Sequence, residues 1–312
     1  MENFVFHFLF WMCKRMLSAN FQLSTFNFPF ADCHMHMLLD GMDWRAAIDG
    51  HRENPDRELI RDRLQSYADA GFDYLRDGGD RWGVGTAARE MAPEFGITYR
   101  TPLSPLCKTG HYGAFIGEKF SDFREFAELV RKTRQDGGDF IKIMVSGLMD
   151  FDCFGRLTEE PLTPGEITEL VHIVHEEGFT VMLHANGART VEACALAGAD
   201  SVEHGAYLDE DALCAMVENG TIWCPTLSTV GNLREKGRFD EKAVRAIYDS
   251  AVENVHAFAR MGGIVAPGSD AGAWAVPHVQ GGVDEYVHLR TAIGKDWETV
   301  LARGIGETRR RF

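Results

Sequence analysis

The chain has 312 residues, of which 45% are hydrophobic and 25% charged, as is ordinary for a globular protein with a large core. This length suits one large α/β barrel or two ordinary domains. The net charge of -15 argues against nucleic acid or an anionic membrane as a partner, because contact with phosphates needs clustered Lys and Arg. The basic cluster Arg309-Arg310-Arg311 is expected to be a solvated tail.

The seven cysteines are scattered along the sequence and form no C-x-x-C pair. An odd and unpatterned number of cysteines favours free thiols in a reducing compartment over a disulfide framework. We therefore expect a cytoplasmic protein. Cys33 is expected to pack in the core.

The first 29 residues are predicted to be an aromatic-rich N-terminal segment, and residues 30–312 are predicted to form one domain. The apolar run from Phe4 to Cys13 is preceded by Glu2 and followed by Lys14-Arg15, the reverse of a secretory signal. It is also about half of the ~20 residues that a membrane span needs. A packed N-terminal segment is the preferred interpretation, and an upstream artefact with Met16 as the natural start stays open.

Eight short apolar segments alternate with amphipathic stretches through the rest of the chain, the pattern of βαβ units with parallel strands. The first strand ends at His36, and the others are predicted at 74–77, 97–103, 140–145, 180–184, 201–204, 222–224 and 264–266. The helices are predicted at 55–70, 86–95, 121–135, 163–178, 187–197, 208–218 and 240–261, with two short ones at the end.

Several local signals fix these boundaries. Thr163-Pro164 has the N-cap and first-turn residues of a helix, and Gly71 follows a helix as a C-cap glycine does. A long loop, expected to be functional or mobile, covers 104–119. Eight strands, each followed by a helix in ~250 residues, predict an α/β fold of the (β/α)8 TIM-type barrel.

Active sites of such barrels lie at the C-terminal ends of the strands, so the residues at those ends were compared. His34 and His36 are one residue apart, and side chains at i and i+2 of a strand point to one face. Each candidate alone has an ordinary structural explanation, but together they predict a metal site. The candidates at the strand ends are His34, His36, Lys142, His184, His204 and Asp270.

Lys142 lies in an apolar segment that should be buried on both faces of a parallel sheet. Burial of a bare ammonium costs several kcal/mol. A neutral amine there would react with carbon dioxide to give a carbamate, an anion with two oxygens that can bridge two cations. The alternative is a salt bridge to Glu203 or Asp77.

The sequence resembles the amidohydrolase superfamily, in particular its binuclear members related to imidazolonepropionase and prolidase-like amidohydrolases. The resemblance covers nearly the whole predicted barrel in order. The matching motifs are Asp32-Cys33-His34-Met35-His36, Leu75-Arg76-Asp77-Gly78-Gly79, Phe140-Ile141-Lys142-Ile143-Met144, His184-Ala185-Asn186-Gly187, Ser201-Val202-Glu203-His204-Gly205, Cys224-Pro225-Thr226-Leu227 and Gly268-Ser269-Asp270-Ala271.

The resemblance implies two divalent metal ions, most simply zinc. His34, His36 and Asp270 would hold one ion, His184 and His204 the other, and carbamylated Lys142 would bridge them. A hydroxide bridging the metals would attack the substrate carbonyl, with Asp270 as the proton shuttle. The loop residues predicted to bind substrate or stabilise its oxyanion are His111, Tyr112, Tyr207 and His278.

The expected substrate is a small molecule with a C–N amide bond: an N-acyl amino acid, a dipeptide or a cyclic amide. A lactonase or phosphotriesterase on the same binuclear site, or a catalytically inactive metal-binding barrel, are the alternatives. Family members usually carry an accessory β-sandwich, which is expected to be absent or reduced here because 33 residues precede His34 and 42 follow Asp270. Whether the chain forms a homo-oligomer stays open.

Overall fold

A computed structural model describes residues 30–312, and the predicted N-terminal segment 1–29 lies outside the described residues. Ten strands occur in the described part. They are β1 Phe30–Met35, β2 Phe72–Asp77, β3 Thr98–Arg100, β4 Leu106–Lys108, β5 Glu118–Phe120, β6 Ile141–Met144, β7 Val181–Ala185, β8 Ser201–His204, β9 Ile222–Cys224 and β10 Ile264–Val265.

Eleven α-helices connect or follow the strands of residues 30–312. Five of them are shorter than twelve residues, and the last two are longer than the two short helices predicted there. In chain order they are Trp44–His51, Arg57–Asp69, Val84–Met91, Phe123–Gln135, Pro164–Glu176, Ala188–Leu196, Glu210–Glu218, Ser228–Gly231, Glu241–Arg260, Gln280–Ile293 and Trp297–Arg311.

The strands form two parallel sheets, one with the order β1-β2-β3 and one with the order β10-β9-β8-β7-β6-β4-β5. The predicted α/β class with parallel strands is therefore confirmed. All strand pairs within residues 30–312 are parallel, so these residues contain no antiparallel β-sandwich. The prediction of one closed hydrogen-bonded barrel differs from the observed pairing, which has two separate sheets.

The predicted third strand, 97–103, is shortened to β3, and the sheets are separated between β3 and β4. β3 pairs with β2, whereas β4 pairs with β6. Pro102 and Pro105 lie between β3 and β4 and lack the N–H that a ladder needs. Leu103 between them has a φ of 64°, outside the strand region.

Backbone hydrogen bonds connect the two sheets at both edges of the β1-β2-β3 sheet. On one side, the N–H of Cys33 donates to the carbonyl of Pro267 over 2.8 Å, and the N–H of Asp270 donates to the carbonyl of His34 over 2.6 Å. On the other side, the N–H of Asp139 donates to the carbonyl of Thr101 over 3.0 Å. The C-terminal ends of β1, β6, β7 and β8 therefore lie near one another.

Two further regions differ from the secondary structure predicted from the sequence. The helix Trp44–His51, whose N-cap is Asp43, was not predicted, and the predicted loop 104–119 contains β4 and the first residues of β5. Cys33 is buried in an apolar cluster built by strand residues and Phe312, as expected for a packing residue. Within residues 30–312, no helix combines the length and apolar character that crossing a bilayer would require.

Candidate metal centre

The six predicted ligands lie at the C-terminal side of the strands and all line one cavity. His34 lies in β1, and His36 follows the end of that strand. Lys142, His184 and His204 lie in β6, β7 and β8, respectively. The sixth residue, Asp270, follows β10 by five positions. Residues far apart in the sequence are thus brought to one place.

Short distances join the nitrogen and oxygen atoms of this group. The Nε2 atoms of His34 and His36 each lie 3.5 Å from Oδ1 of Asp270. The rings of His34 and His204 are 5.0 Å apart, and those of His184 and His204 are 4.4 Å apart. Candidate ligand atoms of His34, His204 and Asp270 all lie within 4.8 Å of one another.

Two of the histidines are oriented by hydrogen bonds through Nδ1. The Nδ1–H of His34 donates to Oε2 of Glu203 over 2.7 Å, while Oε1 of Glu203 accepts from Arg76 over 2.8 Å. Nδ1 of His204 lies 2.8 Å from the hydroxyl of Thr226. Bonds of this kind fix the ring and leave the other nitrogen for a metal ion. Accordingly, Nε2 of His34 is buried and has no hydrogen-bond partner within residues 30–312.

His184 is oriented differently. Its Nε2 lies 3.3 Å from the carbonyl oxygen of Gly147, which also accepts a hydrogen bond from Asn186. The ring of Tyr112 packs at 5.0 Å from the ring of His184. In this orientation, Nδ1 is the nitrogen of His184 that is left for a ligand.

Lys142 is 1% exposed, and its Nζ has no hydrogen-bond partner within the described residues. Within the described residues, Lys142 forms no salt bridge to Glu203 or Asp77, the predicted alternative. Glu203 bonds instead to Arg76, His34 and Ser201, and Asp77 accepts from Thr101. Burial lowers the pKa of Lys142 to about 8, an effect that the negative charges of Glu203 and Asp270 partly oppose.

The surrounding groups are also strongly affected by burial. Burial, and then the positive charge of Lys142, lower the pKa of His36 and of His184 to about 3, so both imidazoles are neutral at pH 7. Burial raises the pKa of Asp270 to about 7, against the opposing effect of Lys142. Neutral imidazoles with a carboxylate are a donor set that suits a divalent cation such as zinc. The residues therefore fit the metal centre that the resemblance implies.

Three site residues have a left-handed backbone conformation. The φ angles are 68° at His204, 49° at Thr226 and 57° at Asp270. A non-glycine residue in this region costs roughly 1–2 kcal/mol, and such residues are concentrated at functional sites. The surrounding fold thus holds both ligands and the hydroxyl that orients His204 in strained positions.

The cavity has a volume of about 390 Å³ and mostly apolar walls. Of the four predicted substrate residues, Tyr112 lines it, whereas His111, Tyr207 and His278 are not among the lining residues. His278 instead bonds to the carbonyl of Leu39 over 2.8 Å and to the hydroxyl of Tyr67 over 3.2 Å. Tyr207 packs on Phe154.

Sequence reasoning missed most of the cavity wall, because its residues lie in loops and short helices without a periodic pattern. One of them is a cation, and the others are large apolar or aromatic side chains. The missed lining residues that matter most are Trp44, Phe115, Met144, Phe151, Arg238, Phe239 and Trp274.

Comparison with known proteins finds no matching family model. An uncharacterized protein of Mycobacterium tuberculosis is 28% identical over 212 residues, which are 66% of this chain and 55% of that protein. The ochratoxinase of Aspergillus niger is 26% identical over 227 residues, 64% of this chain and 47% of that enzyme. The chain thus spans about half the length of the curated relatives it matches.

Solved structures agree in fold over most of the chain. A Xaa-Pro dipeptidase has a TM-score of 0.71 and 21% identity, covering 90% of this chain and 75% of its own. The Aspergillus niger ochratoxinase has a TM-score of 0.72 and 19% identity, covering 88% of this chain and 68% of its own. At these identities the structures show the fold, and the sequence relatives and motifs agree with it. The chain is thus similar in fold to a Xaa-Pro dipeptidase and to ochratoxinase, in agreement with the resemblance that its motifs carry.

Proposed function

We propose that this chain is a metal-dependent hydrolase that cleaves a C–N amide bond of a small molecule. The observation that carries the proposal is the convergence of six side chains from the ends of five strands on one cavity. Among them is a buried amine that has no hydrogen-bond partner in residues 30–312. The similarity to a Xaa-Pro dipeptidase and to ochratoxinase supports a hydrolase. The substrate would be an N-acyl amino acid, a dipeptide or a cyclic amide.

We propose further that the two sheets are the wall of one (β/α)8 barrel. The bonds of Cys33 to Pro267 and of Asp139 to Thr101 support this, because they join the sheets at both edges. The barrel would explain why the strand ends meet at one mouth.

We also propose a cytoplasmic location. All six cysteines of residues 30–312 are free thiols, as is usual in a reducing compartment.

His34, His36 and Asp270 would hold one ion, and His184 and His204 the other. Lys142 would lose its ammonium proton, and the neutral amine would add carbon dioxide with release of a second proton, giving a carbamate that would hold both ions. When bound, two divalent cations, most simply zinc, polarise a substrate carbonyl and lower the pKa of water.

Asp270 is the residue that would move the proton. Its carboxylate accepts a proton from the attacking water as the C–O bond forms, and then donates it to the nitrogen as the C–N bond breaks. Oδ1 of Asp270 lies 3.5 Å from Nε2 of both His34 and His36, so the carboxylate stands beside the proposed metal position. Glu203 and Thr226 orient two imidazoles, and the apolar cavity walls exclude water from the bound substrate.

The test combines elemental analysis with a substrate panel. The purified protein should hold two divalent ions per chain when bicarbonate is present, and Lys142→Ala should lose them while keeping its circular dichroism spectrum. Lys242→Ala, an exposed lysine of the helix Glu241–Arg260, is the control and should keep both ions. Absence of bound metal in the wild-type protein would contradict the proposal.

The panel should contain N-acyl amino acids, dipeptides, cyclic amides, lactones and phosphotriesters. Hydrolysis of the amides supports the proposal. Hydrolysis of lactones or phosphotriesters alone would assign the alternative activity to the same site. A metal-loaded protein inert to the whole panel would favour a catalytically inactive metal-binding barrel.

A further inference from the structure

One positive side chain lines the cavity apart from the metal-binding group. Arg238 lies on the loop before the helix Glu241–Arg260, is exposed to solvent and contributes to the cavity wall. Within residues 30–312 it makes no ion pair with a carboxylate. The chain has a net charge of -15, yet this arginine, which lines an apolar cavity, has no carboxylate partner in the described residues. Its charge is therefore available to a ligand.

Aromatic rings hold the guanidinium of Arg238 in place. Its central carbon lies 4.4 Å from the ring centre of Trp274 and 5.4 Å from that of Phe239. Phe239 in turn packs against Phe151 with ring centres 5.1 Å apart. A guanidinium that stacks on a ring keeps its N–H groups free at the edge, where they can donate two parallel hydrogen bonds to a carboxylate.

A second group of aromatic residues lines the cavity. The ring of Phe115 lies 5.3 Å from that of Trp44 and 5.7 Å from that of Tyr112, which also packs on His184. The cavity volume of about 390 Å³ is in the range that accepts a small organic ligand. Such walls favour a large apolar or aromatic group on the substrate.

We propose that Arg238 binds a free carboxylate of the substrate. The substrate class is then an amide that combines this carboxylate with a large apolar or aromatic group, such as an N-aroyl amino acid or an apolar dipeptide. A cyclic amide without a carboxylate falls outside this class. The inference rests on the proposed hydrolase function, because it assumes that the bound molecule is the substrate.

The experiment compares a carboxylate substrate with its uncharged counterpart. N-benzoyl-phenylalanine and its C-terminal carboxamide are assayed with wild-type protein, Arg238→Gln and Arg238→Lys. Loss of a charge-assisted bond predicts a rise in KM of roughly 10- to 150-fold for the acid in Arg238→Gln, with kcat retained. The carboxamide should change by less than about twofold, and Arg238→Lys should recover part of the loss for the acid.

The matched control is Lys236→Gln, which removes an equal charge from the same loop at an exposed residue that does not line the cavity. It should leave the KM of both compounds unchanged. An equal effect of Arg238→Gln on the acid and the carboxamide would overturn the proposal. So would equal effects of Arg238→Gln and Lys236→Gln, which would indicate a general charge effect.

Binding without turnover separates the two proposals. Quenching of tryptophan fluorescence by the same two compounds is titrated in the presence of a chelator. Carboxylate-dependent binding that is lost in Arg238→Gln, without hydrolysis by the metal-loaded protein, would support the subsite and contradict the hydrolase. Hydrolysis together with equal binding of acid and carboxamide would leave the hydrolase standing and overturn the subsite.

Discussion

Asp270 provides the sharpest test at the scale of single residues. The substitution Asp270→Asn keeps the size of the side chain and one oxygen ligand but removes the carboxylate that we propose as the proton shuttle. Turnover should fall by about 10²- to 10⁴-fold, the usual contribution of general acid–base catalysis. Metal content, measured by elemental analysis, should stay close to that of the wild-type protein. Near wild-type turnover would remove Asp270 from the mechanism.

His175 should make stability depend on pH. Its hydrogen bond to Asp200, 3.0 Å long, raises its pKa above the ordinary value of 6.5. The folded protein therefore holds the imidazole proton more tightly, and this stabilisation is present below pH 6.5 and lost as the pH rises through the folded-state pKa. Because the pair is partly exposed, the effect should not exceed about 1 kcal/mol.

The measurement is urea unfolding of wild-type protein and His175→Gln at acidic and alkaline pH. The variant should be less stable than the wild-type protein on the acidic side and equal to it on the alkaline side. His172→Gln is the control, since His172 is exposed on the same helix and makes no hydrogen bond or ion pair within residues 30–312. A difference between His175→Gln and wild type that is independent of pH would contradict this assignment.

The reach of sequence reasoning differs among the site residues. His34, His184 and His204 could be located because they stand at the ends of apolar strands, and parallel strands end at one side of a sheet. Arg238 and Trp274 could not be located, because loop side chains follow no period. His278 was expected at the substrate because it follows the last strand, but the sequence did not indicate its hydrogen bonds to Leu39 and Tyr67.

At the scale of elements, the helix Trp297–Arg311 depends on close contact with β10. A Cβ atom at Gly304 would lie 1.8 Å from the carbonyl oxygen of Val265, so the backbones approach too closely for any larger residue. Gly304→Ala should force the helix away from the strand and destabilise the protein by several kcal/mol, as overpacking of a core does. Chemical denaturation measures the effect.

Gly306, two residues further along the same helix, provides the control. A Cβ atom there has no neighbour within 4 Å. Gly306→Ala should therefore stabilise the protein by up to about 1 kcal/mol, because alanine loses less backbone entropy in a helix. Equal effects of the two substitutions would contradict the role of close packing at Gly304.

Element prediction succeeded where one pattern dominated. β8 and β9 have the predicted bounds, since short apolar runs end there at turn residues. The helix Trp44–His51 was missed although Asp43 accepts two N-cap hydrogen bonds, because its apolar positions are few. The third strand was predicted to reach Leu103 but ends at Arg100, and Pro102 should have indicated the earlier end.

At the scale of the whole molecule, Asp32 and Ser269 connect the first strand to the segment after the last. Oδ1 of Asp32 accepts from the N–H of Ser269 over 2.9 Å, and Oδ2 accepts from its hydroxyl over 2.6 Å. Ser269→Ala leaves a buried carboxylate oxygen without this donor, which costs roughly 1–3 kcal/mol. Urea unfolding in the presence of a chelator should show this loss independently of metal binding.

Ser250→Ala, on the helix Glu241–Arg260, is the control and should change the free energy of unfolding by less than about 0.5 kcal/mol. A similarly small change in Ser269→Ala would show that the sheet edges do not depend on this connection. The sequence patterns were sufficient for the alternation of parallel strands and helices along most of the chain. They were not sufficient for the way the sheet edges meet, which depends on such individual hydrogen bonds.

The left-handed backbone at His204, Thr226 and Asp270 should set the stability of this chain against its activity. Glycine or asparagine would relax the main chain at each of these positions, so a screen that rewards heat resistance alone should enrich such replacements. Every one of them would delete an imidazole, a hydroxyl or a carboxylate of the candidate metal centre. Improved heat tolerance gained at these three positions should therefore come with loss of activity.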